Sequence, residues 1–96
     1  MATYVCLLDW TQKGIENVKD SPKRLEAARE VVKAAGGAIL DFYMTVGKHD
    51  MVLVVEARDD TALAKALLKL GSQGAVRTTT MRAFSEAEYR EIIGAL

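Results

Sequence analysis

Gly36-Gly-Ala-Ile-Leu-Asp-Phe-Tyr-Met-Thr-Val-Gly-Lys-His-Asp-Met-Val-Leu-Val-Val-Glu-Ala-Arg58 is the most informative stretch of the chain. From Ala38 to Val46 it alternates: Leu40, Phe42, Met44 and Val46 form an apolar set, and Ile39, Asp41, Tyr43 and Thr45 a mostly polar one. A period of two is a strand with unlike faces. One face should meet a helix layer, and the other solvent, a cavity or a second subunit. Met51 to Ala57 is apolar on both sides until Glu56, as a central strand would be. A tight Gly47-Lys48-His49-Asp50 corner joins the two strands and carries the only histidine of the chain beside a carboxylate.

Upstream of this hairpin, Leu25, Ala28, Val31, Val32 and Ala35 recur at helical spacing. They predict a helix from Pro22 to Ala35, started by a Ser21 cap with proline in the first position. Gly36-Gly37 stops it, one glycine taking the left-handed closing position. Before it, Thr3 to Trp10 is a nearly continuous apolar run, a strand expected to be buried on both faces. Thr11 can cap a short helical segment through Val18, weakened by Gly14. Downstream, Asp59-Asp60 caps a helix from Thr61 to Leu70 with a Leu63, Ala66, Leu67, Leu70 stripe. Ala75 to Phe84 is a fourth strand, in which Thr79, Met81 and Ala83 alternate with Val76, Thr78, Thr80 and Arg82. Ser85 and Glu88 then form a capping box for a closing helix with Tyr89, Ile92, Ile93 and Leu96 on one side.

Strand, helix, strand, strand, helix, strand is the split βαβ, or ferredoxin-like, order in one α+β domain, residues 1–96, here with an added C-terminal helix. Its four-stranded antiparallel sheet carries both main helices on one face. Half of the 96 residues are apolar, and leaving the other face of the two central strands in water is unfavourable by roughly 25 cal/mol per Å². A homo-oligomer, dimer or higher, is the expected resolution. Formal net charge is zero, which argues against nucleic acid as a partner. Cys6, the single cysteine, allows no intrachain disulfide and fits a reducing cytoplasm. No apolar run reaches the roughly 18 residues of a membrane span.

The chain resembles the GYD domain family, a group of short bacterial and archaeal proteins. The likeness rests on Asp9-Trp10-Thr11 followed by Gly14, Ser21-Pro22 with Arg24, Gly36-Gly37, and Tyr43 leading to Gly47 and Asp50. It continues through Gly74 to Thr80 and Ala83-Phe84. His49 stands where the family usually has the tyrosine of its name-giving motif. The family is similar to the dimeric α/β-barrel superfamily, so the resemblance implies the ferredoxin-like fold and self-association. That superfamily includes cofactor-independent enzymes, monooxygenase- or isomerase-like, some with a His-Asp pair.

His49-Asp50 is therefore the sharpest catalytic candidate. An imidazole titrates near neutral pH, and a carboxylate can orient it as a base. The structural alternative is that Asp50 organises the turn and His49 is a wet loop residue. Asp41, Tyr43, Arg77, Thr78, Thr80 and Arg82 form the polar inner-face set, with Arg77 on either side of its strand. Arginine with nearby hydroxyls can hold a carboxylate or phosphate, so a small anionic or aromatic metabolite is one expected partner. The same residues equally suit a seam between subunits. Trp10 and Tyr43 line an apolar pocket, or belong to core and interface. Cys6 reads as a small buried hydrophobe. One histidine and one cysteine supply too few soft ligands for a metal site, and Gly71-Ser72-Gln73-Gly74 lacks any phosphate-loop spacing. No cofactor is expected. Two functions remain: a homo-oligomeric module for ligand binding, regulation or assembly, and an enzyme with His49 as base and Arg77 or Arg82 holding a substrate oxygen.

Overall fold

The computed structural model describes residues 1–96. Strands β1 (Ala2–Trp10), β2 (Ala38–Met44), β3 (Met51–Ala57) and β4 (Val76–Ala83) form one sheet in the order β2-β3-β1-β4, with every pairing antiparallel. Helices α1 (Gln12–Glu16), α2 (Ser21–Ala34), α3 (Asp60–Ser72) and α4 (Glu86–Gly94) complete the chain, with a 3₁₀ turn at Val18–Asp20. This is the ferredoxin-like α+β arrangement, with the two most apolar strands at the centre and a helix added after β4.

The core lies between the sheet and α2 and α3. Tyr4, Cys6 and Leu8 of β1 and Met51, Leu53, Val55 and Ala57 of β3 are buried against Val32 of α2 and Leu63 and Ala66 of α3. The alternate residues Val5, Leu7, Val52 and Val54 point the other way and are only half-buried, because no helix covers them. The continuous apolar run of β1 thus meets helices on one side and an open face on the other. Only 15 of 96 residues are buried although half the chain is apolar, so much apolar surface stays outside the core.

Local signals set the helix ends. Gly36, at φ +83°, closes α2 with Gly36 N–H donating to Lys33 O and Gly37 N–H to Val32 O, the paired bonds of a left-handed glycine stop. Asp59 accepts from Ala62 N–H at 2.8 Å to start α3. Ser85 and Glu88 bond reciprocally to start α4. Two expectations need correction. Ser21 is already helical, because the 3₁₀ turn feeds directly into α2 and the preceding Asp20 takes the cap position without a side-chain bond. Helix α1 stops at Glu16, short of Val18. Gly14 has a positive reason to be there: a Cβ would lie 1.9 Å from Ala75 O, so only glycine lets α1 sit on the start of β4.

β2 departs from its alternation. Its register against β3 shifts between Ile39 and Asp41, a bulge that leaves Leu40 unpaired and 49% exposed. An extra residue reverses strand parity. Ile39 and Phe42 therefore both pack on the core, and Leu40 does not share a face with Phe42 as strict alternation required.

Candidate functional site

The corner after β2 is built on Asp50. Its N–H donates to Leu8 O at 3.0 Å and its carbonyl accepts from Thr45 N–H at 2.8 Å. Its carboxylate accepts from Trp10 N–H at 3.0 Å. The residue just before β3 thus ties down the end of β1, and its charge is committed to a backbone donor. Gly47, at φ +145°, lets the corner turn where a side chain would be strained.

His49 does not meet Asp50's carboxylate. Its Nδ1 lies 3.1 Å from Asp9 Oδ2, and each side chain is 26% exposed. Antiparallel pairing explains the match: with Leu8 opposite Met51, Asp9 falls beside the corner. A strand ending in Asp9-Trp10 paired with one starting at Met51 brings these groups together, a signal that adjacency of His49 and Asp50 in sequence conceals. With a proton on Nδ1 donated to Asp9, Nε2 is left as an acceptor, the arrangement of an oriented base. Arg77 faces Asp9 across the β1–β4 pairing and makes no ion pair within the protomer.

The polar set divides between the two faces of the sheet. Thr78, Thr80 and Arg82 pair with Leu8, Cys6 and Tyr4 and so share the helix side. Asp41 and Tyr43 pair with Val54 and Val52, and with Arg77 belong to the open side. These six residues do not line one pocket in a protomer. Arg82 lies 4.5 Å from the Phe84 ring centroid, within 3.9 Å of Glu88, and donates to Thr3 O and Ala83 O. Its donors are largely spent on holding the end of β4. Thr80 Oγ1 is buried without a partner. Tyr4 donates to Asp60 at the start of α3, and this bond, with burial, raises the phenol's pKa. Burial likewise pushes the Cys6 thiol up, which disfavours the thiolate a nucleophile needs.

Trp10 lies on the helix side with Leu8, Leu25, Phe42, Leu53 and Leu70 around an apolar cavity of about 60 Å³. Its Nε1 is buried and unpartnered. The cavity has room for a few water-sized groups, far below the 300–1,000 Å³ or so of a typical ligand pocket, and His49 is not among its walls. Tyr43, by contrast, is 61% exposed on the open side. No group of three or more His, Cys, Asp or Glu side chains is placed to hold a metal ion. No helix is long and apolar enough to cross a membrane.

The glutamine synthetase and cystathionine beta-lyase binding protein of Thermus thermophilus is 35% identical over 89 residues, covering 92% of this chain and 94% of that one. Among solved structures, a feast or famine regulatory protein from M. tuberculosis complexed with L-methionine superposes with a TM-score of 0.67 at 20% identity, over 88% of this chain. This chain spans about half that regulator's length, 51%. A solved protein from Thermus thermophilus gives a TM-score of 0.56 at 23% identity, over 88% of this chain and 95% of that one. At such identities the likeness speaks for the ferredoxin-like fold. Residues 4–93 match the GYD domain, and with a relative aligned over nearly its whole length the chain belongs to the GYD domain family.

Proposed function

We propose that the protein is a non-catalytic, cytoplasmic, homo-oligomeric module that binds and regulates metabolic enzymes of the kind named for its Thermus thermophilus relative. The self-association half of this reading is carried by the open sheet face, where Val5, Leu7, Val52 and Val54 stand half-buried between Met81 of β4 and Tyr43 of β2; the enzyme-binding half is carried by the name of the relative. Continuous apolar surface of this kind marks interaction sites, and each 100 Å² or so covered stabilises an assembly by roughly 2.5 kcal/mol before association costs. Asp41, Tyr43 and Arg77 fringe the face and would supply the polar rim of the seam. The test is calorimetric titration of the purified protein into glutamine synthetase and into cystathionine β-lyase from its own source. Saturable binding to either, unchanged by His49→Ala, is expected. Absence of binding to both at tens of micromolar overturns the enzyme-docking part of the reading.

The His49–Asp9 contact favours one second reading, a cofactor-independent enzyme with His49 as base and Arg77, opposite Asp9 on β4, holding a substrate oxygen. A small anionic or aromatic metabolite would then be the ligand. Melting shifts across a metabolite panel, lost in both His49→Ala and Asp9→Asn, would support it; shifts that persist in both would remove it.

A further inference from the structure

Helix α4 keeps its apolar side outside the core of its own protomer. Tyr89, Ile92, Ile93 and Leu96 are all exposed, from 46% at Ile92 to 95% at Leu96, and no residue of the helix is buried. The molecule is 49 Å along its longest axis, whereas a nine-residue strand such as β1 spans about 30 Å. α4, about 14 Å long, projects past the sheet rather than folding beneath it. Its launch is firmly set. Only Phe84 and Ser85 separate it from β4, the capping box fixes its first turn, and Glu88 lies within 3.9 Å of Arg82. A nine-residue helix without tertiary packing is marginal in water, so the helix needs a surface outside its own protomer.

The same chain carries a second uncovered apolar surface, the open sheet face. Resting on the self-association proposed above, we infer that α4 is an exchanged arm that packs its Tyr89–Ile92–Ile93 side on the open sheet face of a second copy, reciprocally about a two-fold axis. Area supports the arm as part of the seam. Four strands of about seven residues give a footprint of about 24 by 19 Å, or about 450 Å², short of the roughly 800 Å² per partner of a standard stable interface. The apolar side of a projecting helix from each copy supplies what the sheets lack. Reciprocity also consumes both orphan surfaces at once, as a self-complementary two-fold contact does.

The experiment uses the full chain. Light scattering should give twice the 10.5 kDa chain mass; Ile92→Glu/Ile93→Glu should give the chain mass with unchanged far-ultraviolet sheet signal. Hydrogen exchange of the α4 amides should be slowed at least about tenfold in the wild type relative to Val54→Glu, because removing the face frees the arm. A double variant that keeps the dimer mass while Val54→Glu loses it would overturn the arm and leave self-association standing. Arm amides that exchange equally fast in both proteins would do the same. A monomeric wild type with slowed α4 amides would place the arm on its own sheet and overturn both readings.

Discussion

The two faces of the sheet are made from the same strands and obey opposite rules. Along β3, Val55 is 1% exposed beneath α3 and α2, while its neighbour Val54 stands half-buried on the open side. On the covered face every large side chain of β3 is committed to packing; on the open face similar side chains stand half-buried with no helix over them. The same chemistry therefore serves stability on one side and, on the function proposed above, recognition on the other.

The largest effect should come from emptying the covered face. Leu53→Ala should cost about 2–5 kcal/mol, read by chemical denaturation, and a loss below about 1 kcal/mol would show that the helix layer is looser than its burial implies. A sharper contrast uses neighbours with one chemistry. Val55→Thr buries an unpaired hydroxyl and should cost about 1–3 kcal/mol. Val54→Thr should leave protomer stability within about 0.5 kcal/mol while weakening self-association in dilution experiments. Equal costs would erase the distinction between the faces.

The corner where the faces meet divides in the same way. Asp50→Ala strands the Trp10 N–H and should cost about 1–3 kcal/mol, with Trp10 fluorescence reporting the transition. His49→Ala removes a partly exposed pair and should cost at most about 1 kcal/mol. The most local effect is confined to α4. Hydrogen bonds with the Ser85 backbone and hydroxyl hold the Glu88 carboxyl below its ordinary pKa of 4.5. A carboxyl lowered in the folded state contributes stability that is full above the ordinary value and lost as pH falls through the folded one. Acidification from about pH 5 downwards should therefore fray α4 before the sheet melts, visible as a lower amide protection factor at Tyr89, each rate being referred to the intrinsic rate at that pH. Ser85→Ala should reproduce part of the effect at neutral pH, about 1 kcal/mol.

Short-range patterns carry much of the architecture. The Gly36 stop, the Ser85–Glu88 box and the stripes of α2 and α3 lie where their spacing predicts, because each depends on residues within one or two turns. Alternation misplaces Leu40 because a bulge is a property of the pairing with β3, invisible in either strand alone. Polarity joins Thr78, Thr80 and Arg82 of β4 to Asp41 and Tyr43, yet strand register turns the two groups to opposite sides. Asp9 escapes notice as His49's partner because the two are far apart in the chain, and only the β1–β3 register brings them to 3.1 Å.

Periodicity, caps and glycines act locally, so the linear order of residues is enough to give the elements, their succession, the fold family and the surplus of apolar surface. Three-dimensional pairing was needed to settle which side of each strand meets the helices, which carboxylate the histidine faces, and that α4 stands away from its own core. Those are matters of register and parity. A shift of one residue in pairing, which no local propensity detects, moves a whole set of side chains from one face to the other.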